Sequence, residues 1–281
     1  MALAARGRLA EAAPQRGRLR VIDVHQHARL MPGSLGETLA SPDIELKTRL
    51  ATMDSLGIDQ AIIIPGHDYL RPNGLADTRA VNNAIAVYRD ANPTRFPAAI
   101  GIVEPLYGDA GLGELDRIKS ELRLAGASFD ARYQGVNTDS ALMRRLMARM
   151  GKLGLVPYLH TVPEISSEAP WRMAALARDF PGMPMLLLDA LSSFEQLQQV
   201  YFLAELAPNL LFDTGQVLIF DRIRSFIRRF GAERVVFGSD LYSHPIGIQP
   251  HVLQGIREAD LGDAERSQIL SGNIMKLLRL S

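Results

Sequence analysis

The sequence predicts an α/β chain folded as a (β/α)8 TIM barrel, and three observations predict it. Eight short apolar runs close on a polar or charged residue or are followed by one within two positions, amphipathic stretches lie between them, and the units recur at roughly thirty residues along a chain of 281. Runs that are continuously apolar belong to a parallel sheet covered on both faces. An open doubly wound sheet is the alternative, but it would carry a Gly-rich phosphate loop after its first strand, where this chain has His25-Gln26-His27.

Met1 to Arg18 is rich in Ala and Arg, with Glu11 as its single acidic residue, and lacks the apolar core of a secretory signal. It is expected to be a frayed or weakly helical extension. The first run, Leu19 to Asp23, leads into His25 and His27; the next three are Gln60 to Pro65, Pro97 to Val103 and Gly126 to Asp130. Leu155 to His160, Met185 to Asp189, Leu210 to Asp213 and Val235 to Asp240 complete the eight. Between them, Leu142, Met143, Leu146, Met147 and Met150 share one helical face, as do Ile219, Ile223, Phe226, Ile227 and Phe230. No low-complexity linker interrupts residues 19 to 281, which are expected to form one barrel domain. The longer connections, Ala28 to Asp43 and Thr161 to Pro170, are expected to be active-site loops.

Composition narrows the function. The chain is 47% apolar and 22% charged, as in ordinary globular proteins. Its 31 basic and 31 acidic residues cancel, which leaves no electrostatic footprint for nucleic acid or an anionic membrane. No apolar stretch approaches the length of about eighteen residues that a membrane span requires. There is no cysteine, so any metal must be held by His, Asp or Glu, a donor set that suits Zn²⁺, Mn²⁺ or Fe²⁺. Lack of cysteine and of a secretory signal together point to the cytoplasm.

In a barrel the chemistry gathers at the C-terminal ends of the strands. Side chains two apart on a strand share a side, so His25 and His27 can aim two imidazoles at one point. His160 closes the fifth run and Asp240 the eighth, within Phe237-Gly238-Ser239-Asp240. Three imidazoles and a carboxylate can bind one divalent ion, Zn²⁺ first among the candidates, and leave room for a water whose pKa the ion lowers. Asp240 can serve instead as the base that takes the water's proton; the spacing does not separate the two roles.

These motifs resemble the amidohydrolase superfamily, in particular the amidohydrolase-2 group of metal-dependent TIM-barrel hydrolases and decarboxylases. The resemblance covers residues 19 to 281 and rests on Asp23-Val24-His25-Gln26-His27, His160, Phe237-Gly238-Ser239-Asp240 and Ile269-Leu270-Ser271-Gly272-Asn273. It implies that His25, His27, His160 and Asp240 hold one catalytic metal. Two departures stand out. Asp189 occupies the place of the family's usual strand-six histidine, and Asp130, in Phe129-Asp130-Ala131-Arg132-Tyr133-Gln134, replaces a strand-four histidine. An unperturbed Asp is a weaker base than His at neutral pH and serves well only with a raised pKa.

The expected site therefore has Asp240 and Asp189 as catalytic carboxylates. Arg132, Tyr133, Gln134, Asp130, His67 and His244 are placed on the substrate side, with Arg132 able either to clamp a carboxylate through paired N–H groups or to form an exposed structural salt bridge. The leading expectation is a metal-dependent hydrolase of a small carboxylate, ester or lactone. A decarboxylase of a small aromatic or muconate-like acid comes next, and a barrel that has lost turnover third. The partner expected is a small-molecule substrate, with a homo-oligomer possible in principle but no segment legible as an interface.

Overall fold

The computed structural model describes residues 18–33, 39–242 and 250–280. The expected extension apart from Arg18, part of the first long loop, and the candidate substrate residue His244 lie outside the described residues.

Eight parallel strands run in the order β1 to β8: Ile22–Ala28, Gln60–Pro65, Ala98–Ile102, Gly126–Phe129, Val156–His160, Met185–Leu188, Leu210–Asp213 and Val235–Val236. Each pairs with the next. Hydrogen bonds just beyond β8 close the ring on β1: Val24 N to Phe237 O at 3.0 Å, His27 N to Leu241 O at 2.7 Å and Leu241 N to His25 O at 3.2 Å. The helices that cover the strands are α1 Pro42–Leu56, α2 Leu75–Ala91, α3 Asp109–Ser120, α4 Ala131–Gln134, α5 Ala141–Leu153, α6 Pro170–Asp179, α7 Leu197–Leu206, α8 Phe220–Phe230, α9 Pro250–Glu258, α10 Asp263–Ser267 and α11 Asn273–Leu278. None of the described helices is long and apolar enough to cross a membrane.

The expected helical faces are largely the buried ones, with Leu142 and Phe230 only partly buried. In α5, Met143, Leu146, Met147 and Met150 face the sheet; the Ser140 hydroxyl accepts from Met143 N at one end, and Gly154 turns left-handed at the other. In α8 the buried residues are Ile223, Phe226 and Ile227. Ile219, expected on that face, precedes the helix in extended backbone and is 51% exposed.

Two apolar layers result. One packs the sheet against the helices and contains Ile63, Leu159, Leu187 and Phe212. The other fills the barrel with Ile22, Val24, Ile62, Ile64, Tyr158, Leu186, Leu188 and Val236, and Ile274 of α11 joins it. This inner layer supports the residues at the strands' C-terminal ends.

β1 differs from the expectation that the first run ends at Asp23. It extends through both histidines, and its pairing with β2 slips between Asp23 and Gln26. Such a bulge inverts the alternation of sides. Ile22 and Val24 pack inside the barrel below it, and His25 and His27, of the opposite parity, converge with the strand ends above it. The bulge is pinned by Asp23, whose buried carboxylate accepts from His25 N, Gln26 Nε2, Ser239 N and the Ser239 hydroxyl, the last at 2.5 Å.

Candidate metal centre

Each of the three strand histidines is fixed through its Nδ1. His25 Nδ1 donates to Asp213 Oδ2 at 2.7 Å, His27 Nδ1 to the Pro65 carbonyl at 3.0 Å and His160 Nδ1 to the Phe129 carbonyl at 3.1 Å. A carbonyl only accepts, so in His27 and His160 the hydrogen sits on Nδ1 and Nε2 carries a lone pair when the ring is neutral. Because Pro65 ends β2 and Phe129 ends β4, each ring is held by the strand beside its own.

The Nε2 atoms point at one another. Those of His25 and His27 are 3.0 Å apart, and one nitrogen from each of His25, His27 and His160 falls within 4.8 Å of the others. Asp240 Oδ1 lies 3.3 Å from His25 Nε2 and 3.4 Å from His27 Nε2. Ligands about 2.1 Å from a common ion and spread by tetrahedral to octahedral angles stand about 3.0 to 3.4 Å apart. His160 Nε2 and Asp240 Oδ1 are also buried without a hydrogen-bond partner. Buried polar atoms in native proteins are rarely left so, and these are the atoms a cation would satisfy. The residues present fit a divalent ion.

The backbone pays for this convergence at the strand ends: Asp240 has φ +54° and Asp189 φ +63°, the left-handed region that Asp tolerates better than most residues. Close approach also fixes two glycines. A Cβ on Gly215 would stand 2.4 Å from Asp189 Oδ1, 2.9 Å from Asp213 Oδ2 and 3.0 Å from His25 Nδ1. One on Gly238 would meet Asp213 Oδ2 at 2.6 Å.

The electrostatics divide the groups. Burial opposes the charged form of His25, but Asp240, Asp189 and Asp213 overcome it and push this ring up to about 10. Burial lowers His27, further lowered by His25, and sends His160 well below the usual range. Burial, reinforced by Asp240, raises Asp189 well above the carboxylate range. Asp240 itself is lowered, because His25 and His27 outweigh its burial. A bound cation would take the place of the proton that His25 otherwise holds.

The remaining candidates separate in space. Asp189 makes its nearest approach to His25 at Nδ1, where its Oδ1 is 3.8 Å away and lacks a hydrogen-bond partner; Gln216 donates to its other oxygen at 3.2 Å. His67, Asp130 and His160 form a second buried group, with the His67 Nε2 unpartnered and burial pulling that ring down to about 3. The Arg132 guanidinium, expected to clamp a substrate, forks instead onto Asp130, with Nε 3.0 Å from Oδ1 and a terminal nitrogen 3.1 Å from Oδ2. Tyr133 is 51% exposed beneath that guanidinium. Gln134 spends its amide inside the protein, accepting from Asp130 N and donating to Val103 O and Glu104 Oε2.

Three residues were not singled out by sequence for the parts they play. Asp213, seen there only as one of several strand-end carboxylates, orients His25 and accepts from Asp189 N at 2.8 Å. Glu168, in the long loop after β5, is fully buried against Asp130 and is raised by burial and by that neighbour's charge to about 8. Tyr242 stacks on His27, with ring centroids 4.3 Å apart. Loop length was the only signal for Glu168; nothing in the local pattern marks Tyr242.

Solved structures share this architecture. The 5-carboxyvanillate decarboxylase of Sphingomonas paucimobilis superposes with a TM-score of 0.72 at 18% identity, covering 94% of this chain and 100% of its own. A 2,6-dihydroxybenzoate decarboxylase in complex with 2,6-dihydroxybenzoate gives 0.72 at 19% identity, covering 94% of this chain and 99% of its own. The 5-carboxyvanillate decarboxylase of Novosphingobium aromaticivorans, with manganese and 4-hydroxy-3-methoxy-5-nitrobenzoic acid, gives 0.71 at 15% identity and covers 96% and 98%. At these identities the likeness establishes the fold. No curated protein matches the sequence. The amidohydrolase sequence family matches residues 22–280, nearly the whole described barrel, and this chain belongs to that family.

Proposed function

We propose that this protein is a metal-dependent decarboxylase of a small aromatic or muconate-like carboxylic acid, with His25, His27, His160 and Asp240 holding one divalent ion. The convergence of the His25 and His27 Nε2 atoms with Asp240 Oδ1 carries the reading. An ion bound there supplies positive charge for the substrate's oxygens and for the negative charge that develops as CO₂ departs. Manganese in the Novosphingobium structure supports Mn²⁺ beside the Zn²⁺ expected from the donor set.

The chain's own groups then have distinct tasks. Asp213 keeps His25 in the tautomer that presents Nε2. Breaking the bond from carbon to carboxylate leaves an electron pair on carbon that takes up a proton. Asp189 acts as the source: burial and the neighbouring charge of Asp240 hold a proton on it.

Two observations favour this reading over hydrolysis. The structurally similar enzymes named above are decarboxylases. One of them holds manganese together with 4-hydroxy-3-methoxy-5-nitrobenzoic acid, a small aromatic acid of the proposed substrate class. The test supplies the Mn²⁺-loaded protein with hydroxybenzoates and muconate-type acids while CO₂ is followed, and with esters and lactones while acid release is followed. Metal-dependent CO₂ release is expected; acid release from esters or lactones without CO₂ overturns the proposal.

A further inference from the structure

Tyr242 stands two residues beyond Asp240, and its ring lies at 15° to that of His27 with centroids 4.3 Å apart. Arg29 places its guanidinium over the same ring, 5.0 Å from the centroid, and reaches Asp68 at 3.4 Å. These contacts fix the phenol against a residue of the proposed metal centre. The ring is half-buried, and its hydroxyl makes no hydrogen bond among the described residues. A phenol is un-ionised at neutral pH and its O–H can donate. Asp240 follows β8 and His27 belongs to β1, so the stacked ring stands at the C-terminal mouth of the barrel beside the proposed metal centre.

A neutral O–H in this position is a donor in search of an acceptor. The oxygens most exposed to it are those that a ligand would bring to the cation, because these carry negative charge and accept strongly. We propose that Tyr242 is a substrate-binding residue that donates its phenolic O–H to an anionic oxygen at the metal centre, and so selects ligands bearing a carboxylate or phenolate there. The inference rests on the metal-centre reading above. Stacking on His27 places the donor before the ligand arrives, which spares the entropy of ordering a long side chain.

The substitution Tyr242→Phe keeps the ring and its stacking and removes only the donor. Mn²⁺ affinity and the affinity of the Mn²⁺-loaded chain for salicylate, which carries both oxygen types, are measured on wild type and variant. Mn²⁺ affinity is expected to stay within about twofold while salicylate binding weakens about tenfold or more, the scale of one hydrogen bond to a charged group. Equal salicylate affinity in the two proteins, or normal Mn²⁺ uptake with no salicylate binding by wild type, overturns the Tyr242 proposal alone. A comparable loss of Mn²⁺ affinity in the variant also overturns it, since the hydroxyl would then act on the metal centre itself. Failure of wild type to take up Mn²⁺ overturns the metal-centre reading and this one with it.

Discussion

The Nε2 atoms of His25 and His27 face each other at 3.0 Å, and neither ring is free to turn away. Asp213 holds one through Nδ1 and the Pro65 carbonyl holds the other. Two neutral imidazoles so oriented would set lone pair against lone pair in a buried place. Something positive must lie between or beside them, either a proton or a metal ion, and Asp240 Oδ1 at 3.3 and 3.4 Å completes a ligand arrangement that a proton does not require.

Asp213→Asn tests how that orientation is maintained. The amide can present NH₂ to His25 Nδ1, which favours the tautomer with Nε2 protonated and unable to bind metal. Metal affinity is expected to fall about 10- to 100-fold, as is usual when the partner of a ligating histidine is lost. Titration against a chelator of known affinity measures it, and an unchanged constant would show that His25 is not a ligand.

Asp240→Asn separates the carboxylate's charge from its backbone role. The position has φ +54°, which Asn tolerates, so the barrel is expected to stay folded with stability changed by no more than about 1 kcal/mol. CO₂ release is expected to fall at least about a hundredfold. Thermal unfolding beside turnover checks both, and full activity would remove Asp240 from the site.

Glu168 gives a prediction in pH. Its carboxyl, raised by burial and by the charge of Asp130 to about 8 from an unfolded value near 4.5, binds a proton more tightly in the folded state. Stability from this group is therefore complete below about 4.5 and is lost as pH rises towards about 8. Glu168→Gln mimics the protonated form, so its stability relative to wild type is expected to grow across that window and level off above it. Chemical denaturation at several pH values measures the difference; a flat difference would mean that Glu168 is ionised throughout.

Much of this was legible in the sequence, for reasons particular residues show. The apolar runs of Gln60–Pro65 and Leu210–Asp213 coincide with strands because a parallel sheet buried on both faces leaves few polar residues in them. His160 and Asp240 were found because barrel topology brings strand ends together. The bulge at Asp23 was not, since it depends on bonds to Ser239, 216 residues away. Nor was the attachment of Arg132 to Asp130, which a rotamer decides, or that of Glu168 to Asp130, which depends on how a loop folds back.

The most direct test of the account is the metal content of the full chain, purified without chelator, equilibrated with Mn²⁺ or Zn²⁺ and freed of loose ions. The account predicts about one ion per chain, reduced to a small fraction of that by His27→Ala. A chain that retains no metal, or a His27→Ala variant that retains as much as wild type, would contradict it.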